Sequence, residues 1–349
     1  MSVSVLFGGL SFEHEISIVS AVSLKKILKD KVKYFIFLDS THQFYLIPTQ
    51  EMKSSTFATG AYKKHKKLHL KVGYFYSEGF LGKEVVLSDA GVIINLIHGA
   101  DGEDGSISAL LDFYKIAYIG PRIEACAISF NKILTKIYAK QNGIKCLEYE
   151  RFTSKDDVEP SLPYPFIIKP ARLGSSIGVS VVSQQSEMEY ALDSAFGYDD
   201  EILIEPFYKG VLEYNLAGYK MSNGEFRFSL IEEPQKKDLL GFEDKYLDFS
   251  RTEQVVRANI SPELESKIQE AFKKIYGDVF CGALIRCDFF VIDDCVYLNE
   301  INPIPGSFAH YLFEDFMQVI QDLQQSLPRK RPIKVDYKYV LQIQHAKGK

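Results

Sequence analysis

Apolar and polar positions follow two periods along the first third of the chain. Val3 to Phe7 is a short apolar run of strand type, and Tyr34 to Leu38 and Val92 to Ile97 repeat it. Between them, Ser17 to Leu28 sets Ile18, Val22, Leu24, Ile27 and Leu28 at helical spacing. Ile107 to Tyr114 does the same with Ile107, Leu110, Leu111 and Tyr114. Ala117 to Ile119 is a last short strand, stopped by Gly120-Pro121. Strands alternating with helices predict an open, mostly parallel sheet. Residues 40 to 90 carry a weaker pattern and include Lys63-Lys64-His65-Lys66-Lys67, which reads as a solvated face or loop.

Gly120-Pro121 marks a domain boundary. Beyond it the spacing predicts one helix over 123–141, closed by Asn142-Gly143. Strands are predicted at Phe166–Lys169, Gly178–Val182, Ile202–Glu205, Glu213–Tyr219 and Glu225–Leu230, the last two joined through the turn Ser222-Asn223-Gly224. Ser261-Pro262 opens a helix with Leu264, Ile268, Phe272 and Ile275 on one face, and Gly277 closes it. The basic segment from Pro328 reads as a solvated tail or an edge strand.

Composition changes this picture little. A chain of 349 residues is too long for one small core, so two or three domains are expected. Hydrophobic content of 46% and a net charge of −5 describe a globular protein with no overall pull toward nucleic acid or an anionic membrane. No apolar run approaches the roughly 20 residues that span a bilayer, and the N-terminal run carries no signal-peptide pattern, so a cytoplasmic protein is expected. Five cysteines without a C-x-x-C pair argue against disulfides and structural zinc. Cys287 should point away from its neighbour Asp288, into the core.

The densest chemistry lies in Arg286-Cys287-Asp288 and Glu300-Ile301-Asn302, two β-prone runs separated by Asp293-Asp294, a hairpin turn signal. Folding about that turn brings Asp288 roughly opposite Glu300, with Arg286 and Asn302 beside them. Facing carboxylates repel unless a hard divalent cation lies between them, and such oxygen donors suit Mg²⁺. The same residues also fit an exposed polar strand face with an incidental ion pair.

Other segments point the same way. Lys169-Pro170-Ala171-Arg172-Leu173-Gly174-Ser175-Ser176-Ile177-Gly178 ends a strand in Lys and continues into a small-residue loop whose N–H and hydroxyl groups suit phosphate. It is not a Walker A loop, which leads into a helix. Gly8-Gly9 ends the first strand without a dinucleotide fingerprint, and the following Glu13 and Glu15 suit an amine better than a pyrophosphate. His98-Gly99-Ala100-Asp101-Gly102-Glu103-Asp104-Gly105 would wall a cleft at the same sheet edge. Gly241-Phe242-Glu243-Asp244-Lys245-Tyr246 lies in an aperiodic polar stretch that reads as a lid or a plain surface loop. The pair Pro303 and Pro305 stiffens the chain before Gly306, whose N–H suits an oxyanion.

Taken in order, GGLSFEHEIS, HGADGEDGSISALLDFY, YIGP, FNKILTK, FIIKPARLGSSIGVSVV, LIEPFYKGVLEY, EDKYLDF, IRCDFF and LNEINPIPG resemble the D-alanine–D-alanine ligases, ATP-grasp enzymes of bacterial cell-wall (peptidoglycan) synthesis, along nearly the whole chain. The resemblance implies a three-domain ATP-grasp fold of α/β (α+β) class, with an N-terminal substrate-binding domain (1–120), a central domain (121–210) and a C-terminal catalytic domain (211–349). It implies ATP and two Mg²⁺ (or Mn²⁺) ions, two D-alanine sites and a homodimer. By matching positions, Lys132 and Lys169 hold ATP phosphates, with Ser176 in the covering loop. Glu205 and Glu213 contact adenine and ribose, and Lys245 reaches the γ-phosphate. Asp288, Glu300 and Asn302 bind the metal ions, while Arg286 and the Gly306 N–H stabilise the tetrahedral intermediate. Glu13 orients the first D-alanine with Ser175 and Tyr246, and His98 lies near the substrates.

The chain departs from the family pattern at Leu173, where an acid is common, and at Leu240 and Phe242, where tyrosines are common. One extra residue separates Glu205 from Glu213. Tyr311 stands where a small hydroxyl residue helps bind the second substrate's carboxylate. The alternatives are a D-alanine–D-lactate ligase of the same fold, against which the retained Tyr246 speaks, and an ATP-binding protein without catalysis, against which the intact charged set speaks.

Overall fold

The structure, a computed structural model, describes residues 2–79, 83–87, 90–234, 257–329 and 331–347. Three sheets organise the chain. The first contains β1 (Val3–Gly8), β2 (Val32–Leu38), β3 (Phe44–Ile47), β4 (Lys66–Lys71), β5 (Tyr74–Glu78), β6 (Glu84–Val86), β7 (Val92–Asn95) and β8 (Tyr118–Ile119). Their order is β6-β5-β4-β3-β2-β1-β7-β8. β1 lies parallel to both β2 and β7, and β7 lies parallel to β8. This is the parallel part the alternation predicted. The connections from β2 to β6 are antiparallel, so the whole sheet is mixed. These added strands come from residues 40–90. β4 exposes Lys66 and Lys67 and buries little besides Leu68, which dilutes its apolar signal. Helices α1 (His14–Leu28), α2 (Ser54–Ala58) and α3 (Ser106–Phe113) connect these strands, and α1 buries Ile16, Ile18, Ala21, Leu24 and Leu28.

The single helix predicted over 123–141 is instead two, α4 (Ile123–Phe130) and α5 (Lys132–Gln141). Asn131 breaks it. Its backbone is extended (φ −96°, ψ 115°), and its side chain accepts the N–H groups of Ile133 at 2.8 Å and Leu134 at 3.2 Å. The new N-terminus begins at Lys132, so the cap fixes where that ammonium starts. Asn131→Ala is expected to lower stability by about 1–2 kcal/mol, the usual worth of a lost cap, measured as a shift in the urea midpoint. An unchanged midpoint would refute the capping role.

The second sheet, in the order β11-β10-β12-β9, is antiparallel throughout. It comprises β9 (Glu150–Phe152), β10 (Phe166–Pro170), β11 (Ser180–Val182) and β12 (Ile202–Pro206), and α6 (Met188–Phe196) backs it through Met188, Ala191, Leu192 and Ala195. The third, β14-β13-β15-β16, contains β13 (Leu212–Lys220), β14 (Phe226–Glu232), β15 (Ile285–Ile292) and β16 (Cys295–Asn302). The helix Pro262–Tyr276 packs behind it through Ile268, Phe272 and Ile275, with Ser261 as its cap.

The C-terminal segment is solvated, as one of the two expectations had it, but it is no edge strand. Residues 338–347 form a helix. The run Tyr339-Val340-Leu341 suits a strand, yet a strand needs a neighbour for its N–H and C=O groups, whereas a helix closes them locally.

Candidate active site

The β15–β16 hairpin is the centre of the site. Asp293 and Asp294 both take positive φ (49° and 55°), which matches the tight turn expected of them. From the turn outward, Ile292 pairs with Cys295, Val291 with Val296, Phe290 with Tyr297 and Phe289 with Leu298. A regular ladder would then set Asp288 against Asn299. Instead the register shifts by one residue, and Asp288 faces Glu300 while Arg286 faces Asn302. The bulge at Asn299 changes which residues of β16 face inward. Apolar partners before it are Val296 and Leu298; after it, Ile301 pairs with Cys287 in the core. The same shift gathers Arg286, Asp288, Glu300 and Asn302 on the opposite face. Cys287 is fully buried on the core side, and burial pushes its thiol well up, so it is no nucleophile here.

Within this set the contacts are close. Arg286 forks Asp288, with Nε donating to Oδ1 at 2.7 Å and Nη2 to Oδ2 at 2.8 Å. Asn302 Nδ2 donates to Asp288 Oδ2 at 3.0 Å, and Arg286 Nη1 reaches the Tyr311 hydroxyl at 3.4 Å. Even with this fork, burial pushes the Asp288 carboxyl up to about 7. Arg286 pulls it down, while Glu300 and Glu213 push it further up. Burial is the largest of these causes, and Glu300 also acts on Lys132 and Lys169 across the cleft. Among the described residues, no three His, Cys, Asp or Glu side chains form a ready-made metal cage. Two carboxylates and an amide are nonetheless the sparse oxygen set that Mg²⁺ takes when phosphates supply other ligands. Both Asp288 oxygens are engaged by Arg286, so an ion there must share them.

The opposite wall carries cations. Lys169, at the end of β10, pairs with Glu205 Oε2 of β12 at 2.6 Å, and Lys136 of α5 pairs with Glu205 Oε1. Burial alone would raise Glu205, but Lys169 and Lys136 together hold it down to about 2. Lys132 donates to the Leu173 carbonyl of the covering loop, and burial, with Lys169 nearby, lowers its pKa. That loop is anchored at its start. Arg172 bonds Asp199 at 2.7 Å and Glu201 at 2.6 Å, and Glu201 also accepts from Asn131. Ser175 and Ser176 follow in the left-handed region (φ 54° and 58°). At Gly174 a Cβ would lie 2.9 Å from Glu13 Oε1, so any side chain there would push the Glu13 carboxylate aside.

A third wall comes from the first sheet. Glu13 is buried at the start of α1, and Ser175 Oγ donates to its Oε1 at 2.6 Å. Burial and the neighbouring Glu103 raise its pKa. His98 lies beyond β7, with Nδ1 3.7 Å from Glu103 Oε1. They are not a charged pair, since burial holds His98 down to about 4 and Glu103 up to about 8. Gly102 lets this loop fold tightly, because a Cβ there would meet the Ile97 carbonyl at 1.7 Å.

One cleft of about 480 Å³ joins the three walls. It is lined by Glu13, His98, Lys132, Lys169, Ser175, Ser176, Glu205, Glu213, Arg286, Asp288, Glu300, Asn302, Gly306 and Tyr311. Every candidate within the described residues therefore borders the same space. Lys245 and Tyr246, with Leu240 and Phe242, lie outside the described residues. The sequence reading missed Lys136 and the burial of Glu103. Lys136 had a signal: it follows Lys132 by four residues on α5, one turn along the same face. Glu103 had only its place in an acidic, glycine-rich loop.

Two family models match the chain, one described as the D-ala D-ala ligase N-terminus over residues 2–121 and one as the D-ala D-ala ligase C-terminus over residues 139–320. The chain belongs to the D-alanine–D-alanine ligase family. It is 59% identical over 352 residues to a D-alanine–D-alanine ligase of Helicobacter hepaticus, covering 100% of both chains. To that of Wolinella succinogenes it is 55% identical over 349 residues, again with full coverage of both. The crystal structure of the Helicobacter pylori D-alanine–D-alanine ligase superposes with a TM-score of 0.84 at 51% identity, covering 95% of this chain and 100% of that one. The mixed α/β architecture is thus that of the ATP-grasp ligases of this family.

Proposed function

We propose that this protein joins two D-alanine molecules into D-alanyl-D-alanine at the expense of ATP, through an acyl phosphate. The observation that carries this reading is the single cleft. It sets half-buried lysines on one wall against an Arg–carboxylate hairpin on the second, with a buried glutamate on the third. ATP and a divalent cation, when bound, would supply the phosphoryl group and a positive charge beside the carboxylate set. Lys132 and Lys169 present ammonium groups to phosphate oxygens, and Glu205 fixes Lys169 in place. Glu213 is read as a ribose contact and Ser176 as part of the phosphate cover. Asp288, Glu300 and Asn302 would hold the cation.

Glu13, held by Ser175, would seat the ammonium of the first D-alanine, with Tyr246 completing the set. The carboxylate of that D-alanine takes the γ-phosphoryl group of ATP and ADP leaves. The neutral amine of the second D-alanine then attacks the acyl carbon. The oxyanion so formed faces Arg286 and the Gly306 N–H until the C–O bond to phosphate breaks. Because water hydrolyses an acyl phosphate, a cover carrying Lys245 belongs to this reading. So do three domains (1–120, 121–210 and 211–349), supported by the three separate sheets. So too do a homodimer, a place in peptidoglycan precursor synthesis and a cytoplasmic location. Among the described residues no helix is long and apolar enough to cross a membrane.

Phosphate release from ATP and Mg²⁺ with D-alanine, with the product identified by mass, tests the reading. D-alanyl-D-alanine from D-alanine and none from L-alanine is the expected result. Ester from a D-alanine and D-lactate mixture with no dipeptide would replace it by a depsipeptide ligase, and ATP binding without turnover by a non-catalytic protein. Tyr311 gives a further expectation. Its phenol is half-buried beside Arg286, where the family has a smaller hydroxyl. Tyr311→Ser is expected to lower the KM for the second D-alanine by about threefold to tenfold, the worth of roughly one hydrogen bond. An unchanged KM in steady-state kinetics would refute this.

A further inference from the structure

Helix α1 carries a buried serine to which the mechanism above gives no task. Ser20 is fully buried, and its hydroxyl meets two groups from distant parts of the chain. It accepts the Ser307 N–H at 3.0 Å and lies 2.9 Å from His98 Nε2. A hydroxyl has one proton to give. The Ser307 N–H takes one lone pair of that oxygen, which leaves its proton and its second lone pair for Nε2. Donation from Ser20 Oγ–H to Nε2 places the imidazole proton on Nδ1, the nitrogen that faces Glu103. His98 is neutral where it lies and the Ile304 backbone is a further neighbour of its ring, so the position of its one proton is a real choice between two tautomers.

The other partner is equally particular. Ser307, Phe308 and Ala309 all take left-handed backbone angles (φ 50°, 54° and 48°), and all three are buried. Each non-glycine residue in that region costs about 1–2 kcal/mol, so the turn persists only because its surroundings hold it. Phe308 N–H closes onto the Pro305 carbonyl at 2.8 Å, and Ser307 N–H crosses to α1. Gly306 is the residue immediately before.

We infer that Ser20 is a positioning residue for the ligation step: its single hydroxyl fixes the His98 tautomer and the seat of the Gly306–Ser307 turn together. This rests on the ligase reading for its kinetic part. One atom thereby ties the substrate-facing histidine of the first sheet to the oxyanion-facing turn after β16, and the spacing across the cleft is set once rather than twice.

The test uses the full-length protein. In the wild type, two-bond ¹H–¹⁵N spectra of histidine, with His98 assigned by loss of its signals in His98→Gln, are expected to show Nδ1 protonated and Nε2 bare. A proton on Nε2 would overturn the inference whether or not the protein is a ligase. Ser20→Ala is expected to shift His98 toward the other tautomer. It should also lower kcat by about tenfold or more, since a positioning bond is lost, while the KM for ATP stays within about twofold. Ser20→Thr, which keeps the hydroxyl, is expected to recover most of kcat. Full kcat in Ser20→Ala, or equal losses in Ala and Thr, would reduce Ser20 to a packing residue. Should Ser20→Ala fail to fold, the wild-type tautomer decides. A wild type without ligase activity but with the Nδ1 tautomer would sink the ligase reading and leave the geometric one standing.

Discussion

Arg286→Met is expected to lower kcat by about 10²–10³-fold, the loss seen when one preorganised oxyanion donor is removed, with far-UV circular dichroism unchanged. Arg286 is held rather than merely present. Asp288 fixes its Nε and Nη2, and Nη1 extends toward Tyr311, so the guanidinium enters the cleft in one orientation. Preorganised charge needs no rearrangement as the oxyanion develops. Lysine cannot fork a carboxylate, so Arg286→Lys is expected to lose nearly as much as Arg286→Met. Steady-state phosphate release with D-alanine measures both. A kcat within about threefold of wild type in either variant would place the oxyanion elsewhere.

Glu205→Gln is expected to lower stability at pH 7 by about 3–5 kcal/mol, the range for breaking a buried ion pair by removing one partner. Lys136 and Lys169 both point at this carboxylate, and without its charge two buried ammonium groups face each other. The pH dependence has a definite sign. The folded-state pKa of Glu205 is depressed to about 2 from an ordinary 4.5. Its contribution is therefore fully present above pH 4.5 and fades as pH falls toward 2, because the unfolded chain takes up the proton first. The span corresponds to roughly 3 kcal/mol. Urea unfolding at several pH values should show the gap between wild type and variant narrowing from pH 5 to pH 3. A gap that is absent at pH 7, or that does not narrow, would mean the pair carries no net stabilisation. ATP affinity is expected to fall too, since Lys169 loses its anchor.

Much of the site could be read before the fold was known. An Asp-Asp turn between two β-prone runs brings Asp288 into the neighbourhood of Glu300, but unbroken alternation would pair it with Asn299, and the bulge that completes the register left no mark in the pattern. The parallel strands of the first sheet were legible because, buried largely on both faces, they are apolar at most positions, with Ser4 and Asn95 as the polar residues inside the runs. Its antiparallel extension was not, since exposed lysines on β4 mask the period. The break at Asn131 was hidden for a different reason. The helical period runs across it, and only the capping preference of asparagine marks it. Glu103 and Ser20 were beyond reach, since burial and long-range partners, not local pattern, give them their properties. The resemblance to a known family supplied the roles; geometry supplied the company each residue keeps.

The extra residue at Asn299 has one more consequence. It makes the hairpin a joint between two reading frames. On the turn side, even-numbered β16 residues pack the interior; past Asn299, odd-numbered ones do. A substitution scan that assumed a single alternation would assign half of this strand to the wrong side. It would mistake Glu300 and Asn302 for core positions and Ile301 for a cleft position. Any graft of this hairpin onto another scaffold must carry the irregularity with it, because the chemistry is encoded as much by that one-residue offset as by the side chains it sorts.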